Sequence, residues 1–281
     1  MSSNNNSHPN PSSSANVPVL NQLLAVATQA QGDSPADQTH SFSQMPEEDR
    51  AWLEAALSHI AADSDPVKKL KRWMARLEEV GEPSEANMGD IGDILEEIGD
   101  LVCDMDMAQC FCSLNGISLI QRLLAKQFDP CSALLFHLVG VLAQYNQRVQ
   151  QLLLHTTAFL SHCLDIIVDN ERLMDYRHKC VGAISAMVKA HLPALIRFVE
   201  LDGPDKLMRC FEDGVGMADN TKLAHRCAVA AVALKRSFSV EVVNIDSNFR
   251  RVAQCPAEMR VKLVETNGDT KWNDTLEFLA E

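Results

Sequence analysis

Three stretches of this chain are apolar on almost every side: CSALLFHLVGVLA (131–143), KCVGAISAMV (179–188) and HRCAVAAVALK (225–235). A helix with no polar face has to be enclosed by neighbours, so each is expected to be buried between other helices. Their centres, near Leu138, Ile184 and Ala230, lie about 46 residues apart. The stretches between them also correspond. FCSLNGISLIQRLL (111–124) and FVELDGPDKLMRCF (198–211) share Leu-[Asn/Asp]-Gly followed by an amphipathic pattern, and LLHTTAFLSHCL (153–164) fills the middle slot without the glycine.

A period of about 40–47 residues built from two or three helices is the armadillo/HEAT range. Such units cannot bury their apolar faces alone and stack on one another. The fold class expected is therefore all-α, an armadillo-type helical repeat solenoid over 91–236. A compact bundle of helical hairpins would also fit the apolar pattern; the long period and the enclosed third helix favour the solenoid. Residues 1–45 read as a disordered tail, because MSSNNNSHPNPSSSAN is too polar to offset its ordering entropy. Within the tail, 17–30 form an apolar island in which Val17, Leu20, Leu24 and Ala27 fall at helical spacing beside Leu23.

Residues 46–90 read as an acidic helical cap. Pro46 suits a first helical position, with Leu53, Ala56, Leu57 and Ile60 on one face. A second helix is expected from Asp65-Pro66 to Gly81, and a third capped by Asp90. From 237 to 281 the register weakens. Cys255-Pro256 interrupts it, MRVKLVETNGDTKW is open to a helix or a hairpin around Asn267-Gly268, and TLEFLAE reads as a short helix. This segment is expected to be a shortened repeat or cap.

Charge is unevenly placed. Of the net −13, residues 46–106 carry 17 acids against six bases, whereas 107–281 carry 19 of each. Without clustered Lys/Arg, nucleic acid is not an expected partner. No uncharged apolar run reaches the ~18 residues of a membrane span, so a membrane is not expected either. Nine cysteines and no export signal point to reduced thiols in the cytosol or nucleus, and a cytoplasmic setting is expected.

No catalytic motif emerges. Gly214-Val-Gly216 lacks a third glycine and follows a helix, and Cys103, Cys110 and Cys112 lack the paired spacing of zinc ligands. Cysteines on apolar faces are expected to pack as small hydrophobes, and Met105 and Met107 as core fillers. Asp104-Met-Asp106 lacks the later residues of a calcium loop and reads as a solvated helix end. No enzyme activity, metal or cofactor is expected. The rare polar positions on the enclosed helices, His137, Gln144, Lys189, Arg226 and Lys235, could line a groove formed by the third helix of each repeat.

The run from Leu101 to Gly116, with Phe111-Cys112-Ser-Leu114-Asn115-Gly116, resembles the segment opening the armadillo core of the Hsp-binding (Fes-type) nucleotide exchange factors of the cytosolic 70-kDa heat-shock chaperone. Phe198-Val-Glu-Leu201-Asp202-Gly203-Pro-Asp-Lys-Leu207-Met208-Arg209 is similar to a second signature of that family. A Leu-Leu island in the tail (Asn21-Gln-Leu23-Leu24) and an acidic Trp-Leu helix (Pro46 to Glu54) agree in order and spacing over 17–236. The departure is after Ser237, where a complete fourth repeat is expected. The Trp-x-x-x-Asn ladder of nuclear-import armadillo proteins is absent; Phe136/Gly140, Gly182/Ala186 and Val229/Ala233 stand in its place.

The resemblance implies a co-chaperone whose concave face binds the chaperone's ATPase domain, promoting ADP release and client release. Its contact residues are expected to be Glu97, Arg122, His137, Gln144, Lys189, Arg209, Arg226 and Lys235. The resemblance also implies that Leu20, Leu23 and Leu24 mimic a client in the chaperone's client groove. The alternative is a generic armadillo scaffold for another protein partner.

Overall fold

The computed structural model describes residues 47–53, 55, 65–216, 221–238, 247–266 and 272–280. The chain divides into two units, 1–65 and 66–281. In the first, 47–53 are helical. Leu20, Leu23 and Leu24, with Ala56, Leu57 and Ile60, lie outside the described residues.

The second unit is built of stacked α-helices. Helix α1 (Pro66–Glu79) opens on a proline, whose missing N–H is one that a first turn leaves unbonded in any case. Its Leu70, Met74 and Leu77 are buried. Helix α2 (Met88–Val102) buries Ile91, Ile94, Leu95, Ile98 and Val102. It begins two residues before the expected Asp90 cap. Asn87 precedes it and spends its side chain on the loop, accepting from Ser84 N at 2.8 Å and donating to Glu82 O at 2.9 Å.

Three helical triplets follow: α3 (Met105–Ser113), α4 (Gly116–Leu124) and α5 (Asp129–Ala143); α6 (Gln147–Thr156), α7 (Phe159–Ile166) and α8 (Met174–Val188); α9 (Leu192–Glu200), α10 (Gly203–Gly216) and α11 (Thr221–Ser237). The third helices are the enclosed ones: α5 packs on α2 and α8, and α8 packs on α11. This is the repeat solenoid that the long period and the all-round apolar stretches favour, with Leu135, Phe136, Val139, Cys180, Ile184 and Cys227 fully buried along it. Helices α12 (Ser247–Thr266) and α13 (Asn273–Ala280) pack on α11. Against the expected interruption, α12 runs through Pro256, because buried Val252, Cys255, Met259 and Leu263 offset the lost ladder bond. Among the described residues no helix is long and apolar enough to cross a membrane.

The Leu-[Asn/Asp]-Gly signature has a local cause. Asn115 and Asp202 adopt positive φ (63° and 56°), which Asn and Asp tolerate best after glycine. Gly116 and Gly203 then pass beneath the rings of Phe111 and Phe198, where any Cβ would overlap the ring. In the middle triplet Thr157 is extended (φ −135°, ψ 162°), and the corner needs no glycine.

Polar links join consecutive layers. Arg122 pairs with Glu78, Lys126 with Glu82 and Lys262 with Glu212; Arg172 reaches Asp129 at 3.0 Å and Lys206 reaches Asp165 at 2.7 Å. Deeper in the core, the Arg177 guanidinium (1% exposed) donates to Ile167 O at 2.7 and 3.0 Å and to Asp213 Oδ2 at 2.9 Å.

Candidate functional site: a cationic groove on the third helices

One groove runs across α5, α8 and α11, enclosing about 240 Å³. Its floor is made of the positions that carry an aromatic–Asn ladder in peptide-binding armadillo proteins, here Phe136, Gly140, Gly182, Ala186, Val229 and Ala233. Small residues at these places, Phe136 apart, bring the helices together: a Cβ on Gly140 would lie 3.6 Å from the Ala183 backbone. They also lower the floor, so that the Arg226 guanidinium lies over Gly182, its Nη2 2.5 Å from where a Cβ would stand.

The rim is cationic. Lys179, Lys189 and Arg226 line it with His137 and Gln144, and none of the described lining residues is acidic. Lys189 is held in place: its Nζ donates to the Tyr145 hydroxyl at 2.7 Å and sits 4.6 Å from the centre of that ring. Tyr145 is 63% exposed and adopts φ 56°, which turns the ring toward α8 from the loop after α5. Burial, then the charges of Lys179 and Arg226, push the His137 imidazole below its ordinary pKa, against the pull of Asp175. His178, on α8, is pushed down by burial, Arg226, Lys179 and Lys222, again opposed by Asp175.

Four of the eight residues expected to contact a partner therefore meet in one groove: His137, Gln144, Lys189 and Arg226. The other four lie elsewhere. Glu97 lines a separate acidic cleft with Trp73, Asp93 and Asp100. Arg122 is paired with Glu78. Arg209 lines a cleft with Met208, Glu212 and Arg251. Lys235 is exposed on the last turn of α11. Lys179 was missed by the sequence reading, although it shares the α8 stripe with Gly182, Ala186 and Lys189 at helical spacing. Tyr145 carried no such signal, since its place follows from a positive φ.

The groove offers cations and a flat floor, with no thiol at hand. The cysteines are free, and Cys131, Cys163, Cys180, Cys210, Cys227 and Cys255 are buried. Burial pushes the Cys112 and Cys131 thiols up to about 11 and Cys255 up to about 12. Met107 fills the core as expected, but Met105 does not, being 54% exposed. Asp104 caps α3, its Oδ1 accepting from Asp106 N and Met107 N at 3.0 Å each.

No family model matches the chain. It is similar to curated proteins named Hsp70-binding protein 1. The one from Macaca fascicularis is 27% identical over 73% of this chain and 57% of its own length. Those from Rattus norvegicus and Homo sapiens are 28% identical, over 73% and 70% of this chain and 58% and 55% of theirs. The chain thus spans little more than half the length of the curated relatives it matches, and their name agrees with the resemblance read from its residues.

Proposed function

We propose that this chain is a cytoplasmic co-chaperone, not an enzyme, that binds the ATPase domain of a 70-kDa heat-shock chaperone and acts as its nucleotide exchange factor. The observation that carries the reading is the relatives' name, Hsp70-binding protein 1. In this reading the groove is where the partner binds. Its ladder positions, Phe136 apart, are small and carry no Trp or Asn, so it seats a broad protein surface better than one extended peptide, and its Lys179, Lys189 and Arg226 favour an acidic one.

In this reading the groove engages one lobe of the ATPase domain. It binds the opened arrangement of the lobes more tightly than the closed one, and only that difference in affinity shifts the equilibrium. ADP loses contacts and leaves; ATP rebinding closes the lobes, expels the factor and releases the client. The groove residues hold and orient, and the nucleotide pocket belongs to the chaperone. Glu97, Arg122, Arg209 and Lys235 would act outside the groove, along the edges of the same partner.

The test is release of a fluorescent ADP analogue from the chaperone's ATPase domain, with the full chain added. Acceleration is expected, reduced at least about tenfold in Lys189→Glu/Arg226→Glu at unchanged helical content. Full acceleration by the folded variant overturns the groove assignment. Binding without acceleration leaves the second reading, an armadillo scaffold for a protein partner.

A further inference from the structure

Along the stack, several cations are matched to carboxylates one layer back. Arg172 answers Asp129 and Lys206 answers Asp165, 43 and 41 residues earlier, and Lys262 answers Glu212. The groove departs from this pattern. Lys179, Lys189 and Arg226 line it, and none of them forms an ion pair with a described residue. Lys189 has only the Tyr145 hydroxyl. Asp175, whose charge reaches His137, stands one turn before Lys179 and does not line the groove. A cleft lined by one sign of charge focuses its field and draws counterions.

The neutral groups of the groove are also uncommitted. The Ser185 hydroxyl and the Gln144 side-chain amide bond to no described residue. Burial, then the charges of Lys179 and Arg226, hold the His137 imidazole below its ordinary pKa, so at neutral pH it keeps one N–H to donate. The cations are spread in two dimensions. A helix rises about 1.5 Å per residue, so Lys179 and Lys189 start about 15 Å apart along α8. Arg226 enters between them from α11, its guanidinium over Gly182, and His137 comes from α5. One oxyanion cannot meet all three cations, whereas several on a compact scaffold can. Guanidinium and ammonium groups together are the usual partners of phosphate. The aromatic rings offer little to a nucleotide base, since Phe136 is fully buried and Lys189 already covers a face of Tyr145.

We propose that the groove is a binding site for a small polyphosphorylated solute whose phosphates are spread over a ring, of the inositol-polyphosphate class. One phosphate is held by Arg226 and Lys179 with His137 donating to it, and another by Lys189, with Ser185 and Gln144 as neutral donors. The chain as a whole carries −13, so a polyanion is repelled except where this local cluster holds it. The site uses the cations that the chaperone reading gives to a protein surface, but it is tested without a partner, so either can fail alone.

The test is isothermal titration calorimetry of the full chain with inositol hexakisphosphate at about 150 mM salt, where diffuse attraction is screened. One molecule per chain is expected. Lys179→Ala/Arg226→Ala removes two charged donors and should weaken binding at least about tenfold. Ser185→Glu keeps every cation, adds a carboxylate among them, and should weaken it comparably. Arg148→Ala/Arg197→Ala removes the same charge outside the groove and should bind as the wild-type chain does. ATP, whose phosphates lie in a row, should bind at least about tenfold more weakly. Circular dichroism checks that each variant is folded. No saturable binding by the wild-type chain, undiminished binding by either folded groove variant, or equal loss in the two double variants overturns the site. ATP matching the hexakisphosphate overturns the ring class.

Discussion

At the residue scale, two buried polar groups make strong demands on their neighbours. Arg177 satisfies its guanidinium with a carbonyl from the end of α7 and a carboxylate from α10. Removing one partner of a buried pair costs about 3–5 kcal/mol, because the other is left uncompensated. Asp213 is partly exposed, so Arg177→Ala should fall near the lower end, about 3 kcal/mol, read as a drop in the urea midpoint. Arg177→Met/Asp213→Leu should recover most of the loss. His191 is 7% exposed, its Nε2 donating to Gln151 Oε1 at 2.9 Å while among the described residues no group meets its Nδ1. Burial, then the charge of His155, lowers its pKa in the fold. The unfolded chain therefore binds the proton more readily, and stability rises with pH through this window. The contribution is full above the ordinary histidine pKa of about 6.5 and is lost as pH falls through the folded value. The urea midpoint should drop between pH 7.5 and 5.5, and drop less in His191→Leu.

At the element scale, the two Phe-over-Gly corners fix how the first and second helices of a triplet meet. A Cβ on Gly203 would meet the Phe198 ring and also stand 2.6 Å from Phe198 O. A Cβ on Gly116 would stand 2.3–2.4 Å from three atoms of the Phe111 ring. Gly203→Ala and Gly116→Ala are each expected to cost about 1–3 kcal/mol, the range for overpacked sites, as measured by denaturant unfolding. These corners were legible in the sequence, since Asn or Asp before Gly after an apolar helix marks such a turn. The enclosed third helices were legible too, because an all-round apolar pattern has one physical solution. The start of α2 was not: Asp90 looks like a cap, but Asn87 is drawn off by the loop carbonyls. Nor was α12, where tertiary packing overrides Pro256. In the groove, Lys189 and Arg226 could be found from their rarity on apolar helices. The partnership of Arg177 with Asp213 joins residues 36 apart and follows from packing alone.

At the scale of the whole molecule, charge is divided by position. The α2 side presents Asp90, Asp93, Glu96 and Asp100 around Trp73, whereas the groove is lined by cations. A partner that uses only the groove should associate more slowly as salt screens Lys179, Lys189 and Arg226. The tail makes a separate proposal. If Leu20, Leu23 and Leu24 occupy the chaperone's client groove, deleting residues 1–45 should slow client release while ADP exchange is unchanged. Tethering gives the island a high effective concentration, so the free peptide should not restore release at equimolar dose. Unchanged client release by the truncated chain would sink this role.

The six buried thiols, spread along the stack from Cys131 in α5 to Cys255 in α12, turn the chain into its own gauge of local opening. A protonated, enclosed thiol reacts with an alkylating agent only when its layer parts from the next. In a stack held by neighbour-to-neighbour contacts, outer layers part more readily than inner ones. Pulsed alkylation read by mass spectrometry should therefore mark Cys255 well before Cys180, and the order of labelling would chart, layer by layer, where this protein yields.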